Sequence, residues 1–467
     1  MRVTAYTDDA LTGLDALGAA EAVREGRVDP RELTAAAIAR ARAVDELGAV
    51  AHAAYDEAEE TVPRGGLFGG VPAFVKDNVD VAGMPTCFGS QAFTPRPVKR
   101  SSPPAKQFLA QGFTVLGKSQ MPEFGLTAST EFAGGRAPAR NPWDISRSVG
   151  GSSGGTAALV ASGVVPIGHG NDGGGSIRIP AACAGLVGLK PTRGRMEDQA
   201  GVRQLPVNLV TEGVLTRTVR DTAHYLAAAE AYAPAAGLPP IGLVRGPSER
   251  RLRIGVITRD VRGREVHPEV LDVVLSAARV LGDAGHTVEP HTLSIDGRFI
   301  DDFTLYWAAM AGAEVGISKA ANGRGFRPAD LDPMTTGLLS MLKSSALRLG
   351  PAIGRLRRTG DLYARQLDTY DLLLSPVLAA PPPLLGEMSP DQPFEELMAK
   401  LVDYVGFTPV NNIAGAPAIA VPHTVMPCGL PGSVQLWGSG PGDEATLLDV
   451  AYQLEALAPF PTLDPAA

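Results

Sequence analysis

The chain has 467 residues, of which 45% are hydrophobic and 20% charged, a composition typical of globular proteins with a substantial buried core. Its formal net charge of −8 disfavours nucleic acid as a partner, because proteins that bind nucleic acids usually present a basic face. It has no apolar run of membrane-spanning length, no apolar leader and three widely separated cysteines, so we expect no membrane partner, no metal site, no disulfide framework and a cytoplasmic location.

The first sixty residues are expected to be helical. Asp29 is a suitable N-cap, Pro30 fits the first turn, and Glu32 stands three residues after the cap. The alanine-rich run up to Val44 then carries apolar residues at helical spacing. We therefore predict an N-terminal helical segment over residues 1–62, packed on the core and ended by a break at Pro63–Gly66.

From Gly69 onward, short apolar runs with glycine and proline between them indicate strands that alternate with helices. The predicted strands are Val71–Asn78, Gly112–Gly117, Leu252–Ile257, Asp371–Pro376, Ala418–Pro422 and Ser433–Leu436, and the predicted helices are Thr218–Ala229, His267–Gly285 and Asp443–Leu457. Residues 157–165 are apolar enough for a buried helix or a strand. This alternation predicts a layered α/β fold with one large domain over residues 63–467.

The region from about 300 to 350 has a weaker pattern. Trp307, Met310, Met334 and Met341 occur there with poor periodicity. Two interpretations stay open, a helical insert that lines a substrate pocket and a helical pair packed in the core.

Gly112–Ser119 matches the pattern of a phosphate-binding loop literally. Such a loop needs an open turn whose N–H groups converge on the anion. Here the intervening residues are Phe, Thr, Val and Leu, which favour an extended buried strand. We therefore do not predict nucleotide binding from this segment.

Gly151–Gly155 matches the Gly-x-Ser-x-Gly pattern, with Ser153 in the position of a nucleophile. In α/β-hydrolases this pattern forms a sharp turn from a strand into a helix, and it needs an acid and then a histidine downstream. Several histidines follow in the chain, but none has a recognisable setting. An esterase-type hydrolase that uses Ser153 therefore stays open as an alternative.

Two glycine-rich stretches carry the strongest chemical signal. The first glycine knot, Gly150–Gly155, contains Ser152, and the second glycine knot, Gly173–Ser176, ends in Ser176, twenty-four residues after Ser152. Glycine permits unusual dihedral angles and close approach of the backbone, so each knot could present converging N–H donors beside a serine. A nucleophilic serine beside such donors performs acyl transfer.

Lys76 ends the apolar run Val71–Val75. Burial disfavours the ammonium form and lowers a lysine pKa from about 10.4, so a lysine at the end of a buried strand can be neutral and accept a proton. A proton could then pass from Ser176 through Ser152 to Lys76, and no histidine is required.

These stretches, taken with several others, resemble the amidase signature family of serine hydrolases. The matching sequences are Val75–Asn78, Gly117–Phe124, Arg140–Asp144, Gly150–Gly155, Asp172–Pro180, Gly188–Thr192, Leu215–Asp221, Phe407–Asn412, Gly415–Ala418 and Gly442–Leu448. The resemblance covers the chain from about residue 65 to its end, with a gap near 290–365. It implies one large domain with a mixed central sheet between helices.

The resemblance also implies a role for each matching residue. Ser176 would be the nucleophile, Ser152 would relay protons from a cis peptide bond, and Lys76 would be the general base. The oxyanion hole would be formed by the N–H groups of Gly173, Gly174, Gly175 and Ser176, and supporting roles would fall to Ser153 beside Lys76 and to Asp172 and Arg178 in the loop. Family members often carry a Thr before this aspartate and a Thr, Ile or similar residue after it, whereas this chain has Asn171 and Gly173.

We therefore predict a hydrolase of C–N amide-type bonds that works through an acyl-enzyme, without a metal or an organic cofactor. Similar family members include aliphatic and aryl amidases, aryl-acylamidases, nylon-oligomer hydrolases and urethane-cleaving hydrolases. The substrate pocket is predicted to contain Phe303, Tyr306, Trp307 and Met310. This cluster favours a small-molecule substrate, either an amide or a carbamate, that carries a bulky or aryl group. A homodimer is left open, and a transamidase subunit of the same fold, acting with partner subunits, is a further alternative.

Overall fold

The computed structural model describes residues 1–62, 65–199, 201–202 and 205–464, so Pro63 and Arg64 of the predicted break lie outside the described residues. The helices of the described chain are α1 (Ala16–Arg24), α2 (Pro30–Ala43), α3 (Tyr55–Glu60), α4 (Pro103–Leu109), α5 (Gly154–Ala161), α6 (Arg178–Ala184), α7 (Val219–Tyr232), α8 (Pro268–Asp283), α9 (Phe299–Asn322), α10 (Pro333–Gln366), α11 (Phe394–Tyr404), α12 (Pro409–Ala414) and α13 (Glu444–Leu457).

The strands fall into a large sheet, a small sheet and a two-stranded ribbon. They are β1 (Val50–Ala53), β2 (Pro72–Lys76), β3 (Thr114–Ser119), β4 (Arg140–Asn141), β5 (Asp144–Ser148), β6 (Ile167–Asp172), β7 (Val187–Lys190), β8 (Thr211–Thr216), β9 (Arg253–Val256), β10 (Thr287–Pro290), β11 (Leu372–Pro376), β12 (Ala418–Val425) and β13 (Pro431–Trp437). Among the described residues, the large sheet has eight strands in the order β10-β9-β11-β13-β12-β7-β8-β6, the small sheet has the order β1-β3-β2, and β4 pairs with β5.

The large sheet is mixed. β9 pairs in parallel with β10 and with β11, whereas the strands from β11 through β13, β12, β7 and β8 to β6 pair antiparallel. Strands β6, β7, β8, β11 and β13 are buried at every position, so both faces of this part of the sheet are covered. Of these strands, β11 is a nearly continuous apolar run, as a strand covered on both faces favours, whereas β6 and β8 are buried with polar residues and glycine among them. The predicted α/β class with a mixed sheet and helices is confirmed.

The N-terminal segment departs from the all-helical prediction at one point. Helix α2 begins at the predicted place, because Asp29 and Glu32 form a reciprocal capping box around Pro30. Residues 50–53, however, form strand β1, which pairs antiparallel with β3. The segment is therefore tied to the rest of the molecule by backbone hydrogen bonds as well as by packing.

The stretch that matches a phosphate-binding pattern is a strand. Residues 114–119 form the central strand β3 of the small sheet, parallel to β2 and buried at all but one position. The Phe-Thr-Val-Leu run thus adopts the extended conformation that its composition favours.

Two long helices occupy the region of weak pattern. Helix α9 and helix α10 pack against each other, and α10 continues beyond the predicted insert to Gln366. The N-terminal turns of α9 lie beside the second glycine knot, because a Cβ atom added to Gly174 would come within 3.3 Å of Phe303.

The small sheet and the edge of the large sheet meet where the sequence signal is concentrated. Strand β2 packs against β6, the edge strand of the large sheet. Lys76 is the last residue of β2 and Asp172 is the last residue of β6, and the second glycine knot follows directly. The fold therefore brings the predicted lysine to the loop that carries Ser176.

Candidate active site

The side chain of Lys76 is completely buried at the end of β2. Its Nζ donates to Ser152 Oγ at 2.8 Å and to Asn171 Oδ1 at 2.7 Å, and it lies 3.4 Å from Asn171 O. Strand β2 is buried at all of its positions, and this burial carries the lysine into the interior.

Burial is the main influence on the acid–base behaviour of Lys76. Removal from water disfavours its ammonium form and lowers its pKa from 10.5 to about 7, against the opposing effect of the negative charges of Glu212 and Asp172. A substantial fraction of the Lys76 amine is therefore neutral near pH 7, and a neutral amine can act as a base.

Ser152 lies in the first glycine knot, on a cis peptide bond that follows Gly151. The knot is crowded by backbone, because a Cβ atom on Gly151 would lie 2.9 Å from Thr127 O. Ser152 itself is only 2% exposed, and Gly125 abuts it so closely that an added Cβ would lie 3.0 Å from Ser152 Oγ. The packing thus leaves the Ser152 hydroxyl little freedom beyond its hydrogen bond with Lys76.

Ser176 lies in the loop between β6 and α6 and is 8% exposed. Its carbonyl accepts a hydrogen bond from Ser153 N at 3.2 Å, which ties the two glycine knots together. Ser176 also lines an apolar cavity, together with Gly151 and Gly174. The structure therefore brings Lys76, Ser152 and Ser176 into one region and places Ser176 on the side that is open to a ligand.

One of the four expected oxyanion donors is already engaged. The N–H group of Gly175 donates to Asp172 Oδ1 at 2.7 Å, so it is not directed at the cavity. Among the hydrogen bonds of the described residues, none involves the N–H groups of Gly173, Gly174 or Ser176 as donors. The expectation is therefore corrected for Gly175 and stays a prediction for the other three.

Asp172 and Arg178 form a buried ion pair beneath the second glycine knot. Both side chains are fully buried, and Arg178 Nε and Nη2 lie 2.9 and 3.0 Å from the two carboxylate oxygens of Asp172. Burial alone would raise the pKa of Asp172, but the charge and hydrogen bonds of Arg178, together with Asn412, hold it well below its ordinary value. The carboxylate therefore stays ionised and can hold the loop through Gly175 N.

Four further residues, for which the sequence predicted no role, complete the hydrogen bonding of Arg178. Arg178 also donates to Asn411 Oδ1 at 2.9 Å, Asn412 Oδ1 at 2.6 Å, Gln435 Oε1 at 2.7 Å and Thr408 O at 3.0 Å. Thr408 Oγ1 in turn donates to Gly174 O at 2.7 Å. The motif Phe407–Asn412 was the available signal, but only the fold shows that it supports the loop of Ser176.

Ser153 makes no hydrogen bond with Lys76 among the contacts of the described residues, and the supporting role expected of it stays a prediction. Ser153 is fully buried as the N-cap of α5, and its hydroxyl lies 3.4 Å from Asn171 O, whereas the hydrogen bonds of Lys76 go to Ser152 and Asn171. Its complete burial also disfavours Ser153 as a nucleophile that meets a substrate.

The cavity beside Ser176 has an apolar wall made by the start of α9. Phe303 and Trp307 stack with a centroid distance of 5.7 Å, and Trp307 Nε1 donates to Leu126 O at 3.2 Å. The remaining lining is uncharged and mostly apolar. It comes from helices α6, α9, α10, α11 and α12 and from the loops near Ser176: Gly125, Leu126, Thr127, Ala128, Gly151, Gly174, Ile179, Ile300, Thr304, Met334, Met398, Leu401, Val402, Val405 and Pro409.

Two of the four predicted pocket residues lie elsewhere. Tyr306 is 2% exposed and turns towards Val207, whose carbonyl accepts from its hydroxyl at 2.7 Å and whose N–H donates to it at 3.0 Å. Met310 packs against the core one turn beyond Trp307 and does not line the cavity. Phe303 and Trp307 share the helix face that also carries Ile300 and Thr304 to the cavity, whereas Tyr306 lies on the other side of Phe303 and is directed at Val207.

Neither a metal site nor a membrane-spanning helix is found in the part of the chain that the structure describes. Within that part of the chain, no cluster of three or more His, Cys, Asp or Glu side chains is suited to hold a metal ion. None of the described helices combines the length and the apolar character that crossing a membrane requires.

Comparisons with known proteins agree with the geometry. Residues 32–448 match the family model named Amidase, and the chain belongs to this amidase signature family. It is 45% identical over 466 residues to the putative amidase AmiC of Mycobacterium tuberculosis, covering 98% of each chain, and 32% identical over 484 residues to the 6-aminohexanoate-cyclic-dimer hydrolase of Paenarthrobacter ureafaciens, covering 96% of this chain and 95% of that one.

A solved structure of 6-aminohexanoate cyclic dimer hydrolase complexed with substrate superimposes with a TM-score of 0.88 at 29% identity, over 97% of this chain and 98% of the other. The fold is therefore the single-domain α/β fold of this family. The chain is an amidase-family hydrolase that acts on amide C–N bonds, and neither the transamidase nor the Ser153 esterase alternative is favoured.

Proposed function

We propose that this hydrolase cleaves its amide through a Ser176–Ser152–Lys76 triad and an acyl-enzyme. The observation that carries the proposal is the 2.8 Å hydrogen bond between Lys76 Nζ and Ser152 Oγ, in a buried site next to the cavity that Ser176 lines. The lowered pKa of Lys76 supports its role as the base, because the neutral amine is available near pH 7.

In the first half of the proposed reaction, Ser176 Oγ attacks the amide carbonyl carbon. The Ser176 proton passes to Ser152 Oγ while the Ser152 proton passes to Lys76 Nζ. The negative oxygen of the tetrahedral intermediate accepts hydrogen bonds from the N–H groups of Gly173, Gly174 and Ser176. When the C–N bond breaks, the proton returns from Lys76 through Ser152 to the leaving nitrogen, which departs as an amine.

In the second half, water attacks the acyl-Ser176 ester. The same relay removes a proton from the water and returns one to Ser176 Oγ as the acid leaves. Asp172 and Arg178 make no contact with substrate in this scheme, because both are fully buried, and they act by holding the loop of Ser176.

Labelling with a fluorophosphonate probe, followed by peptide mapping, tests the triad without a known substrate. We expect the label on Ser176, and we expect it to be lost in Ser176→Ala and slowed by at least about 100-fold in Lys76→Ala. Ser153→Ala is the matched control and should label normally. A label on Ser153, or an undiminished rate in Lys76→Ala, would contradict the proposal.

We further propose that the substrate is a small molecule with a bulky, uncharged acyl or aryl group. The cavity lining is apolar, and the stacked rings of Phe303 and Trp307 offer a flat surface beside Gly174. The predicted outcome is a kcat/KM for an anilide well above that for a short aliphatic amide. A clear preference for the short amide would refute this substrate class.

A cytoplasmic location and a homodimer stay predictions. Light scattering on the purified chain measures its mass in solution, and a mass of one chain (48.5 kDa) would contradict the homodimer.

A further inference from the structure

Beside Lys76 lies a pair of side-chain amides whose hydrogen bonds are reciprocal. Asn78 Nδ2 donates to Asn171 Oδ1 at 3.3 Å, and Asn171 Nδ2 donates to Asn78 Oδ1 at 3.1 Å. Asn171 is 4% exposed in β6, while Asn78 follows β2, and its carbonyl accepts from Gln199 Nε2 at 2.9 Å. The pair therefore bridges the small sheet and the large sheet at the point where they meet.

The orientation of the Asn171 amide is determined by its neighbours. Its Oδ1 accepts from both Lys76 Nζ and Asn78 Nδ2, so both lone pairs of this oxygen are used. With Asn78 held as it is, turning the Asn171 amide by 180° would set its NH₂ group against Asn78 Nδ2 and would remove the oxygen that accepts from Lys76 Nζ. Lys76 and Asn78 thus hold Asn171 with its oxygen towards the lysine.

This orientation restricts what a neutral Lys76 can do. A neutral amine has two N–H donors and one lone pair, and Asn171 offers two acceptors, Oδ1 at 2.7 Å and O at 3.4 Å, neither of which can donate to nitrogen. Among the hydrogen-bond partners that the described residues give to Nζ, Ser152 Oγ alone carries a proton that it could donate. The lone pair is therefore directed at Ser152.

We propose that Asn171, held by Asn78, is a positioning residue that fixes the lone pair of Lys76 on the hydroxyl of Ser152. A threonine at position 171, as in many family members, could donate its own hydroxyl proton to the amine and compete with Ser152. The amide oxygen of asparagine cannot do this. The departure at residue 171 thus acts on the direction of proton transfer rather than on the shape of the pocket.

Burial, opposed by the charges around it, determines where the titration of Lys76 lies. Glu212 is buried directly across from Asn171 on β8, with its Oε2 3.2 Å from Nε2 of His169, and Asp172 follows Asn171 and is paired with Arg178. Both carboxylates favour the ammonium form of Lys76, whereas burial opposes it. Asp77 and Lys118 form another buried pair in this region, and neither makes a hydrogen bond with Lys76 Nζ. Because Asn171 is neutral, it directs the amine without adding a charge to this balance.

The inference rests on the proposed role of Lys76 as the base, and the test separates the two. The rate of fluorophosphonate labelling of Ser176 is measured against pH in Asn171→Leu, Asn171→Asp and Asn171→Thr, with Asn322→Leu as a control for the same change at the end of α9. Thermal unfolding of each variant is measured in parallel.

We expect Asn171→Leu to label at least about tenfold more slowly at saturating pH, with its half-saturating probe concentration unchanged. Asn171→Thr should recover part of the rate, because a hydroxyl oxygen can accept from the amine. Asn171→Asp should move the midpoint of the pH profile upward by at least about one unit, because an added negative charge favours the ammonium form. Asn322→Leu should behave as the wild type.

If Asn171→Leu keeps the wild-type rate at saturating pH, while Lys76→Ala loses labelling, the inference fails and the triad stands. If Lys76→Ala labels normally, the triad itself fails. Should Asn171→Leu not fold, Asn171→Thr decides the question: its rate at saturating pH should fall below that of the wild type, because its hydroxyl competes with Ser152, and an unchanged rate would overturn the inference.

Discussion

The two glycine knots are alike in sequence but differ in what surrounds them. In the first, Gly150–Gly155, added Cβ atoms would collide with the protein itself: Gly151 with Thr127 O at 2.9 Å and Gly155 with Ala49 O at 2.5 Å. In the second, a Cβ atom on Gly173 would lie 3.5 Å from the ring of Trp307 and one on Gly174 would lie 3.3 Å from Phe303, so the neighbouring side chains would have to shift by only a few tenths of an ångström. Only Gly175 is crowded there, by Thr408.

This difference shows that glycine serves two purposes in one site. The first knot uses small residues so that the backbone can pack tightly around Ser152 and fix it against Lys76. In the second, the small residues leave the loop open to the cavity, where the proposed mechanism needs N–H groups close to a substrate, while Asp172 and Thr408 hold the loop from beneath. Substitutions in the two knots should therefore fail in different ways.

Gly155→Ala is predicted to have the largest effect, a loss of folding. The new methyl group would lie 2.5 Å from Ala49 O and 2.6 Å from Gln120 O, both backbone atoms that cannot move independently. We expect the free energy of unfolding to fall by about 3 kcal/mol or more, measured by urea denaturation. Gly246→Ala, where nothing lies within 4 Å, is the control. Equal stability of the two variants would show that the first knot has room for a side chain at Gly155.

Gly175→Ala should damage turnover more than stability. Gly175 has a φ of +127°, which an alanine adopts only with strain of about 1 to 3 kcal/mol, and its Cβ would press on Thr408 Oγ1. The loop should then lose the hydrogen bond from Gly175 N to Asp172, and kcat should fall by about 100-fold with a smaller loss of stability. Wild-type kcat in a folded Gly175→Ala variant would show that the loop geometry is not needed.

Lys76→Met tests whether the buried amine of Lys76, beside the first knot, lowers the stability of the folded chain. The folded-state pKa of Lys76 is about 7, below its ordinary 10.5, so between these values the unfolded chain binds more protons and wild-type stability rises with pH. Methionine removes this cost. The variant should be inactive, and its advantage in melting temperature should be full below pH 7 and should shrink as the pH rises towards 10.5. An advantage independent of pH would contradict the assignment.

The sequence predicted some strands well and missed the one that matters most for the second knot. Continuous apolar runs were sufficient to predict five strands that are largely buried: β2, β9, β11, β12 and β13. β6 reads Ile-Gly-His-Gly-Asn-Asp and has no such run. It is a strand because it pairs with β8 along its whole length, and because Gly168 leaves room for Thr156, and neither fact is local.

The candidate site also contains residues that the sequence predicts and residues that only the fold reveals. Lys76, Ser152 and Ser176 stood in motifs that could be recognised, whereas the partners of Arg178 at Asn411 and Gln435 lie more than 230 residues away in sequence, and only the fold joins them. The helix α9 was expected to present four residues to the pocket. It presents Phe303 and Trp307, because the direction of a helix face depends on where the helix docks.

Gly173→Ala should have the smallest effect, and it is the sharpest test of the second knot. Its Cβ would lie 3.3 Å from Val210 and 3.5 Å from the ring of Trp307, so a methyl group fits with little adjustment and roughly 1 kcal/mol or less of lost stability. Gly173→Thr, which restores the residue type common in the family, adds two further atoms on the side where Trp307 stands.

We expect Gly173→Thr to raise KM for an anilide by about tenfold with a smaller change in kcat, because the threonine displaces the aromatic wall and not Ser176. If Gly173→Thr leaves KM unchanged, Trp307 does not border the substrate. If it instead unfolds the chain as Gly155→Ala is expected to do, the two knots do not differ in the way their surroundings indicate.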